Sequence, residues 1–251
     1  FIFSLISSSI YILNDIIDRK VDRLHPTKKT RPIAAKQISI SNSLIIWFII
    51  FSFGLIASYN LNAKLFFILI TYIFNNILYN LIFKNEPIID VFSISFGFIL
   101  RLISGIIIFN DDLTAWVILC TMFLSLFIGF TKRRSEYFNL KNIDIKKDVI
   151  QRPVLKKYND GMLSALINET SFGAIITYSI FTINSQKNPS LIITIPIVYY
   201  AINYYKASAI KKNNGEHPEN ILINDKTLLL CISLWLISYF IILNYNITFI
   251  K

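Results

Sequence analysis

The sequence predicts an all-α, polytopic transmembrane helical bundle, and three observations carry that prediction. Hydrophobic residues make up 54% of the 251 residues and charged residues only 16%, with a mean hydropathy of +0.55, too apolar for a soluble domain of this size. The apolar residues are gathered into runs close to the ~20 residues that a helix needs to cross a bilayer. The cations fall on alternate loops between those runs, as the positive-inside rule requires.

In chain order, the first run covers 1–13 and continues into a polar stretch. It has no Met and no basic lead-in, so it does not read as a signal peptide. It is expected to be the tail of a helix in a chain truncated at its N-terminus. Further runs at 43–61, 64–83, 88–109, 114–130, 163–183, 190–205 and 228–249 bring the expected spans to eight, in a single integral-membrane domain over 1–251. Only seven glycines occur, which argues against a channel filter or a β-barrel. Trp47, Tyr59, Tyr79, Trp116, Tyr204 and Tyr205 stand near run ends, as interfacial belts or as core aromatics. Cys120 and Cys231 lie inside apolar runs, so no disulfide is expected.

The net charge is +10. One set of loops holds Arg19 to Lys36, Lys84, Lys132 to Lys157, Lys206 to Lys212 and Lys226; the other holds only Lys64, Lys187 and Lys251. The basic set is expected on the cytoplasmic side, which accounts for the charge without nucleic acid. The acidic stretches lie on that side too. Asp111 and Asp112, on the other, read as solvated turns. A transporter would carry polar groups through the middle of several spans, and here that level is almost bare. An enzyme working at one membrane face fits better.

Asn14, Asp15, Asp18 and Asp22 dominate the chemistry. In a continuous helix Asn14, Asp18 and Asp22 are four apart and share a face, with Asp15 beside them. Stacked carboxylates destabilise a bare helix, and Mg²⁺ favours one or two carboxylates together with substrate phosphates. The same residues also suit a solvated helix end with pairs such as Asp18–Lys20 or Asp22–Arg19. Lys28, Lys29 and Arg31 follow and would meet phosphates. A second stretch, K-N-E-P-I-I-D, sets Glu86 and Asp90 four apart, as ligands or as a helix start with Pro87 in its first turn. Asp90, Ile94, Gly97, Arg101 and Ser104 share a stripe, and Arg101 would meet an acid on a neighbouring helix or a lipid phosphate. A third stretch, T-K-R-R-S-E-Y over 131–137, either anchors the span end or suits an anionic lipid headgroup or substrate phosphates. The N-N-G-E-H-P-E-N stretch reads as a polar loop. No Cys–His metal spacing, G-x-S-x-G elbow or Gly-rich phosphate loop occurs.

N-D-x-x-D-x-x-x-D at Asn14 to Asp22, R-P-I-A-A at 31–35 and Glu86-x-x-x-Asp90 resemble the UbiA superfamily of intramembrane prenyltransferases. Glu86 replaces the superfamily's usual Asp, and Lys36 stands where Gly is usual. Within the superfamily the likeness is closer to decaprenyl-phosphate phosphoribosyltransferases. It is carried by D-R-L-H-P-T-K-K-T-R-P-I-A-A, by K-N-E-P-I-I-D-V…G-F-I-L-R-L-I-S-G, by K-R-R-S-E-Y and by the late G-E-H-P-E…N-D-K. The resemblance implies a nine-helix bundle, here with eight helices and the first missing. It implies Mg²⁺-dependent transfer of 5-phosphoribosyl from 5-phosphoribosyl 1-diphosphate to a polyprenyl phosphate such as decaprenyl phosphate, in cell-envelope precursor synthesis. The location implied is the cytoplasmic face of a bacterial inner membrane. Asn14, Asp15, Asp18 and Asp22 become the metal ligands, and Asp15, Asp18, Asp22 and Asp90 the catalytic groups. The substrate contacts become Asn14, Lys28, Lys29, Arg31, Tyr79, Lys84, Glu86, Arg101, Lys132, Arg133 and Glu136. A prenyltransferase acting on an aromatic acceptor shares both acidic stretches and is the alternative. A non-catalytic transporter or scaffold is the alternative of another class.

Overall fold

A computed structural model describes residues 1–23, 28–109, 114–142, 153–184, 188–212 and 215–245. His25, Pro26, Thr27, Asp111, Asp112 and Lys187, weighed above, lie outside them. Among the described residues the structure is all helical, with nine α-helices and no strand. They are α1 (Ile2–Asp22), α2 (Ile40–Leu61), α3 (Ala63–Leu81), α4 (Ile89–Phe109), α5 (Ala115–Asn142), α6 (Asp160–Ile183), α7 (Ile195–Lys212), α8 (Pro218–Asn224) and α9 (Lys226–Asn244).

Short polar side chains fix where several of these helices begin. Ser39 accepts from the Asn42 N–H, Asn62 from Lys64 and Leu65, Asn159 from Met162, and Asp225 from Thr227 and Leu228. Each satisfies amide donors that a helix start leaves without intrahelical partners. Five helices, or stretches of them, are long and apolar enough to cross a membrane: α2, α3, α4, Ala115–Asn139 of α5, and α9. They leave large apolar side chains such as Phe48, Phe53, Phe67 and Phe240 exposed, as a hydrocarbon solvent demands. The chain is an integral membrane protein. The other expected spans are helical as well, but α1, α6 and α7 carry polar groups along their length.

Three boundaries differ from the sequence reading. The run at 190–205 is divided, because Pro189–Thr194 forms a 3-10 helix before α7. The span expected to end at 130 continues as helix to Asn142, so Thr131–Tyr137 is helix and not loop. Part of the polar loop near 213–220 is a short helix, α8, with Pro218 in its first turn, where a missing N–H is harmless.

The chain forms two compact units. The first comprises residues 1–93, 100–112 and 145–154. Its core joins Phe3, Ile6 and Ile10 of α1 to Leu65, Leu69 and Tyr72 of α3 and Leu100 of α4. A Cβ on Gly54 would stand 2.7 Å from Ile6 Cδ1, so this glycine permits the close approach of α2 to α1. Asn75 and Ser93 exchange hydrogen bonds of 2.9 Å between α3 and α4. The second unit comprises residues 94–99, 113–144 and 155–251. There α5 packs along α6, with Gly173 against the Phe123 ring, and Ser95 Oγ meets Ser125 Oγ at 2.7 Å.

Candidate functional site

The last three turns of α1 carry the acids, and the chain after them folds back over that face. Residues 32–37 close a helix-ending turn: the Gln37 N–H donates to the Pro32 carbonyl at 2.9 Å and the Lys36 N–H to the Ile33 carbonyl at 3.2 Å. This paired pattern requires a left-handed residue at its end, and Lys36 supplies it with φ 61°. A glycine would meet that requirement without steric penalty. Arg23 Nε donates to the Ala34 carbonyl at 2.9 Å, which fastens the turn to the end of α1.

So placed, Arg31 reaches the acids. Its Nη1 donates to Asp15 Oδ1 at 2.7 Å and to Asp22 Oδ2 at 3.0 Å. Asp22 is almost wholly buried and Asp15 half-buried. Lys84, beyond α3, stands 3.9 Å from Asp18 Oδ1. Asn80 Nδ2 of α3 donates to Asn14 Oδ1 at 2.8 Å. The local pairs weighed from sequence, Asp18–Lys20 and Asp22–Arg19, are not the ones formed here: Asp18 faces Lys84, Asp22 faces Arg31, and Arg19 donates to the Ile16 carbonyl. The structure therefore gathers Asn14, Asp15, Asp18, Asp22, Arg31 and Lys84. It adds Asn80, which the sequence reading missed; the signal was Asn76, Asn80 and Lys84 recurring every four residues at the end of an apolar run.

Burial pushes the Asp15 carboxyl above the ordinary aspartate value. Arg31 draws it back down, while the charges of Asp22 and Asp18 push it further up. Three carboxylates on one face thus repel one another, and the field favours any added cation.

The second stretch turns sharply. The Ile89 N–H donates to the Pro87 carbonyl at 2.8 Å across Ile88, whose φ is 68°. A three-residue turn with positive φ is strained, the more so at a β-branched residue. Pro87 lies before α4 and not in its first turn. Glu86, exposed, and Asp90, 1% exposed, flank the turn. Lys28 is half-buried in a 3-10 turn, Lys29 is exposed, and Tyr79 is half-buried on α3.

Arg101 does not join the acids. Its Nη2 donates to Ser7 Oγ at 3.1 Å and its guanidinium lies 5.1 Å from the centre of the Phe3 ring. Ser7 is eight residues before Asp15, about 12 Å along the helix. Of the partners weighed for it, an acid on a neighbouring helix is not the one formed here: a hydroxyl and an aromatic face meet the guanidinium among the described residues.

In the second unit, Arg133 is 1% exposed and its Nη1 donates to Glu136 Oε2 at 2.9 Å. A fully buried guanidinium is stable only when an acid neutralises it, and Glu136 supplies that acid. Arg134 is held by Asp160 at 3.0 Å and stacks on Phe138. Lys132 is half-buried. A Cβ on Gly215 would stand 2.7 Å from Ser135 Oγ, and Asn139 Nδ2 donates to Glu216 Oε2 at 3.0 Å. The late G-E-H stretch therefore packs on the K-R-R-S-E-Y turn of α5.

The model of the UbiA prenyltransferase family matches residues 1–223. The chain belongs to this family. It is a transferase of the UbiA superfamily. A decaprenyl-phosphate phosphoribosyltransferase of Mycolicibacterium smegmatis is 27% identical over 251 residues, covering 94% of this chain and 76% of the relative. One of Corynebacterium glutamicum is 26% identical over 242 residues, covering 93% and 71%. The structure of a UbiA homolog from Archaeoglobus fulgidus bound to DMAPP and Mg²⁺ matches with a TM-score of 0.73 at 17% identity, covering 96% of this chain and 85% of that one. That likeness shows that the chain has the UbiA fold.

The donor set on α1 fits Mg²⁺, since Asn14, Asp15, Asp18 and Asp22 offer only hard oxygen ligands. Among the described residues no three His, Cys, Asp or Glu side chains converge as a ready metal cage. Arg31 and Lys84 engage the carboxylates instead. Mg²⁺ bound through one or two carboxylates and substrate phosphates needs no such cage.

Proposed function

We propose that this protein transfers 5-phosphoribosyl from 5-phosphoribosyl 1-diphosphate to a polyprenyl phosphate at the cytoplasmic face of a bacterial inner membrane, with Mg²⁺ as cofactor. The observation that carries the reading is the face of Asp15, Asp18 and Asp22 met by Arg31 and Lys84. It is a place where a cation and a polyanion would exchange for the internal ion pairs. The named relatives support the ribosyl donor, and the loop charges support the cytoplasmic face.

In this reading an oxygen of the lipid phosphate attacks C1 of the ribose, a C1–O bond forms, and the C1–O bond to diphosphate breaks. Asp15, Asp18 and Asp22 are the residues that would hold Mg²⁺, which when bound would supply positive charge for the diphosphate leaving group. Arg31 exchanges from the carboxylates to a phosphate oxygen, where its planar fork suits such a partner. Lys84 supplies a second positive charge beside Asp18, and Lys28 and Lys29 add further cations after α1. Asn80 keeps Asn14 oriented. A lipid phosphate is already ionised near neutral pH, so the reaction needs no strong general base.

The test supplies membranes holding the protein with labelled 5-phosphoribosyl 1-diphosphate, Mg²⁺ and polyprenyl phosphate. A labelled lipid that is lost in Asp18→Ala supports the proposal. Product from a prenyl diphosphate and 4-hydroxybenzoate, with none from the ribosyl donor, overturns it.

A further inference from the structure

Within the second unit, α5, α6, α7, α8 and α9 line a half-open cavity of about 310 Å³. Its walls include Leu124 and Phe127 of α5, Ala174 of α6, Ile202 and Tyr205 of α7 and Trp235 of α9, and no charged residue lines it. Such a volume falls in the range of ligand pockets. An apolar cavity of this kind has little to offer water, which needs two to four polar partners to settle.

One end of the cavity is different. Tyr205 is only 5% exposed, and its hydroxyl has no hydrogen-bond partner among the described residues. The Ser208 hydroxyl, one turn further along the same face of α7, has none either. The other wall tyrosine, Tyr178, is satisfied by Thr194 and by Trp235 Nε1. A buried hydroxyl left without a partner is costly, so Tyr205 points to an occupant that brings an oxygen. Beside that level stand two cations. Lys132 lies one turn beyond the wall residue Ile128, and Lys206 Nζ reaches Asn168 and Ser171 of α6. Glu219 is the acid close enough to Lys132 and Tyr205 to act on both. An apolar hollow with unpaired hydroxyls and lysines at one end matches a hydrocarbon chain carrying an anionic head.

We propose that this cavity takes the head-proximal isoprene units of a polyprenyl phosphate, with a phosphate oxygen accepting from Tyr205. The proposal rests on the reading of the acceptor as a polyprenyl phosphate. The walls supply their own reporters, because Cys120 and Cys231, the only two cysteines of the chain, both line the cavity.

The experiment uses the full chain, delipidated in detergent and with no ribosyl donor present. A small uncharged thiol reagent labels the cysteines, and intact mass follows the rate. Undecaprenyl phosphate is expected to slow labelling at least fivefold. Phosphatidylglycerol at the same concentration is expected to leave it within twofold. Tyr205→Phe is expected to raise the undecaprenyl phosphate concentration needed for protection about three- to tenfold, with protection by undecaprenol unchanged. Ala201→Phe, which fills the hollow, is expected to abolish protection; Leu222→Trp serves if that variant does not fold. No protection by undecaprenyl phosphate overturns the proposal, and equal protection by phosphatidylglycerol overturns the isoprenoid assignment. Protection without any ribosyl transfer leaves the cavity assigned and removes the proposed function. Transfer without protection does the reverse.

Discussion

A single nitrogen of Arg31, Nη1, lies 2.7 Å from Asp15 Oδ1 and 3.0 Å from Asp22 Oδ2. The two carboxylates are seven residues apart on α1, so one monovalent group ties together the ends of the acidic face. A divalent ion seeks the same oxygens. Arg31→Gln is therefore expected to destabilise the metal-free protein by about 2 kcal/mol, between the values for exposed and buried pairs. Mg²⁺ should stabilise the variant more than the parent, as read from thermal unfolding with and without the ion. Equal responses to Mg²⁺ would show that Arg31 and the ion do not share these oxygens.

Asp18 is the member of the face with the loosest internal partner, Lys84 at 3.9 Å. Asp18→Asn keeps the size and the helix but removes the charge. Transfer of label from phosphoribosyl diphosphate to lipid is expected to fall by at least about 100-fold, the scale of losing one charge-stabilising group. The unfolding temperature should hold or rise, since repulsion on the face is relieved. Activity within a factor of a few of the parent would remove Asp18 from the site.

The Asp15 carboxyl titrates above its ordinary value, chiefly because it is buried. Between the unfolded value and the raised folded value the folded state binds more protons. Stability is therefore lost as pH rises through that window and regained as it falls. The stability difference between the parent and Asp15→Asn should widen as pH rises from about 4 to about 7. Urea unfolding across that range measures it. Mg²⁺ has the opposite sign: its affinity should weaken on acidification at a higher pH than an ordinary aspartate would give, with protons released on binding.

Lys36 holds φ 61° at the end of the 32–37 turn. A left-handed conformation costs a residue with a Cβ roughly 1–2 kcal/mol, so Lys36→Gly is expected to stabilise the protein by about 1 kcal/mol after the entropy of the unfolded glycine is counted. Lys36→Ala should bring no gain, because it keeps the Cβ. Chemical unfolding of the two variants side by side decides the matter.

The Arg133–Glu136 pair is buried, with side chains 2% and 11% exposed. Arg133→Ala leaves Glu136 without that guanidinium, and a loss of about 3–5 kcal/mol is expected. The double variant Arg133→Leu with Glu136→Leu should recover most of it, since neither charge is then buried alone. A double-mutant cycle on unfolding free energies tests both statements.

The spans were legible because a membrane helix is written in an uninterrupted apolar run, and α2, α3, α4 and α9 lie close to where those runs stand. The end of α5 was not legible. Past Phe130 the residues are charged, and what keeps them helical is the Arg133–Glu136 pair one turn apart and the grip of Asp160 on Arg134. The start of α8 had a local signal in Pro218 followed by Glu219, which a loop reading overlooked. At the acidic face, spacing showed that Asn14, Asp18 and Asp22 share a side. It did not show which cation each carboxylate meets. Arg31 is sixteen residues from Asp15 and Lys84 is sixty-six from Asp18, separations that only the packed turn and the return of α3 bring together. Arg101 was singled out because a charge within a span is rare, but its partner, Ser7, bears no charge and no spacing rule points to it.

The length of α5 has a further consequence. Its apolar part, Ala115 to Phe130, is about 24 Å long, short of the ~30 Å hydrocarbon layer, and its polar remainder adds about 18 Å. Hydrophobic mismatch therefore falls on the turn that begins at Thr131. In a thick bilayer this turn lies closer to the hydrocarbon, where a buried guanidinium without its Glu136 partner would be more costly still. With Arg133 and Glu136 turned into the protein and neutralising each other, the polar extension of α5 carries no lone buried charge at the depth where the mismatch falls.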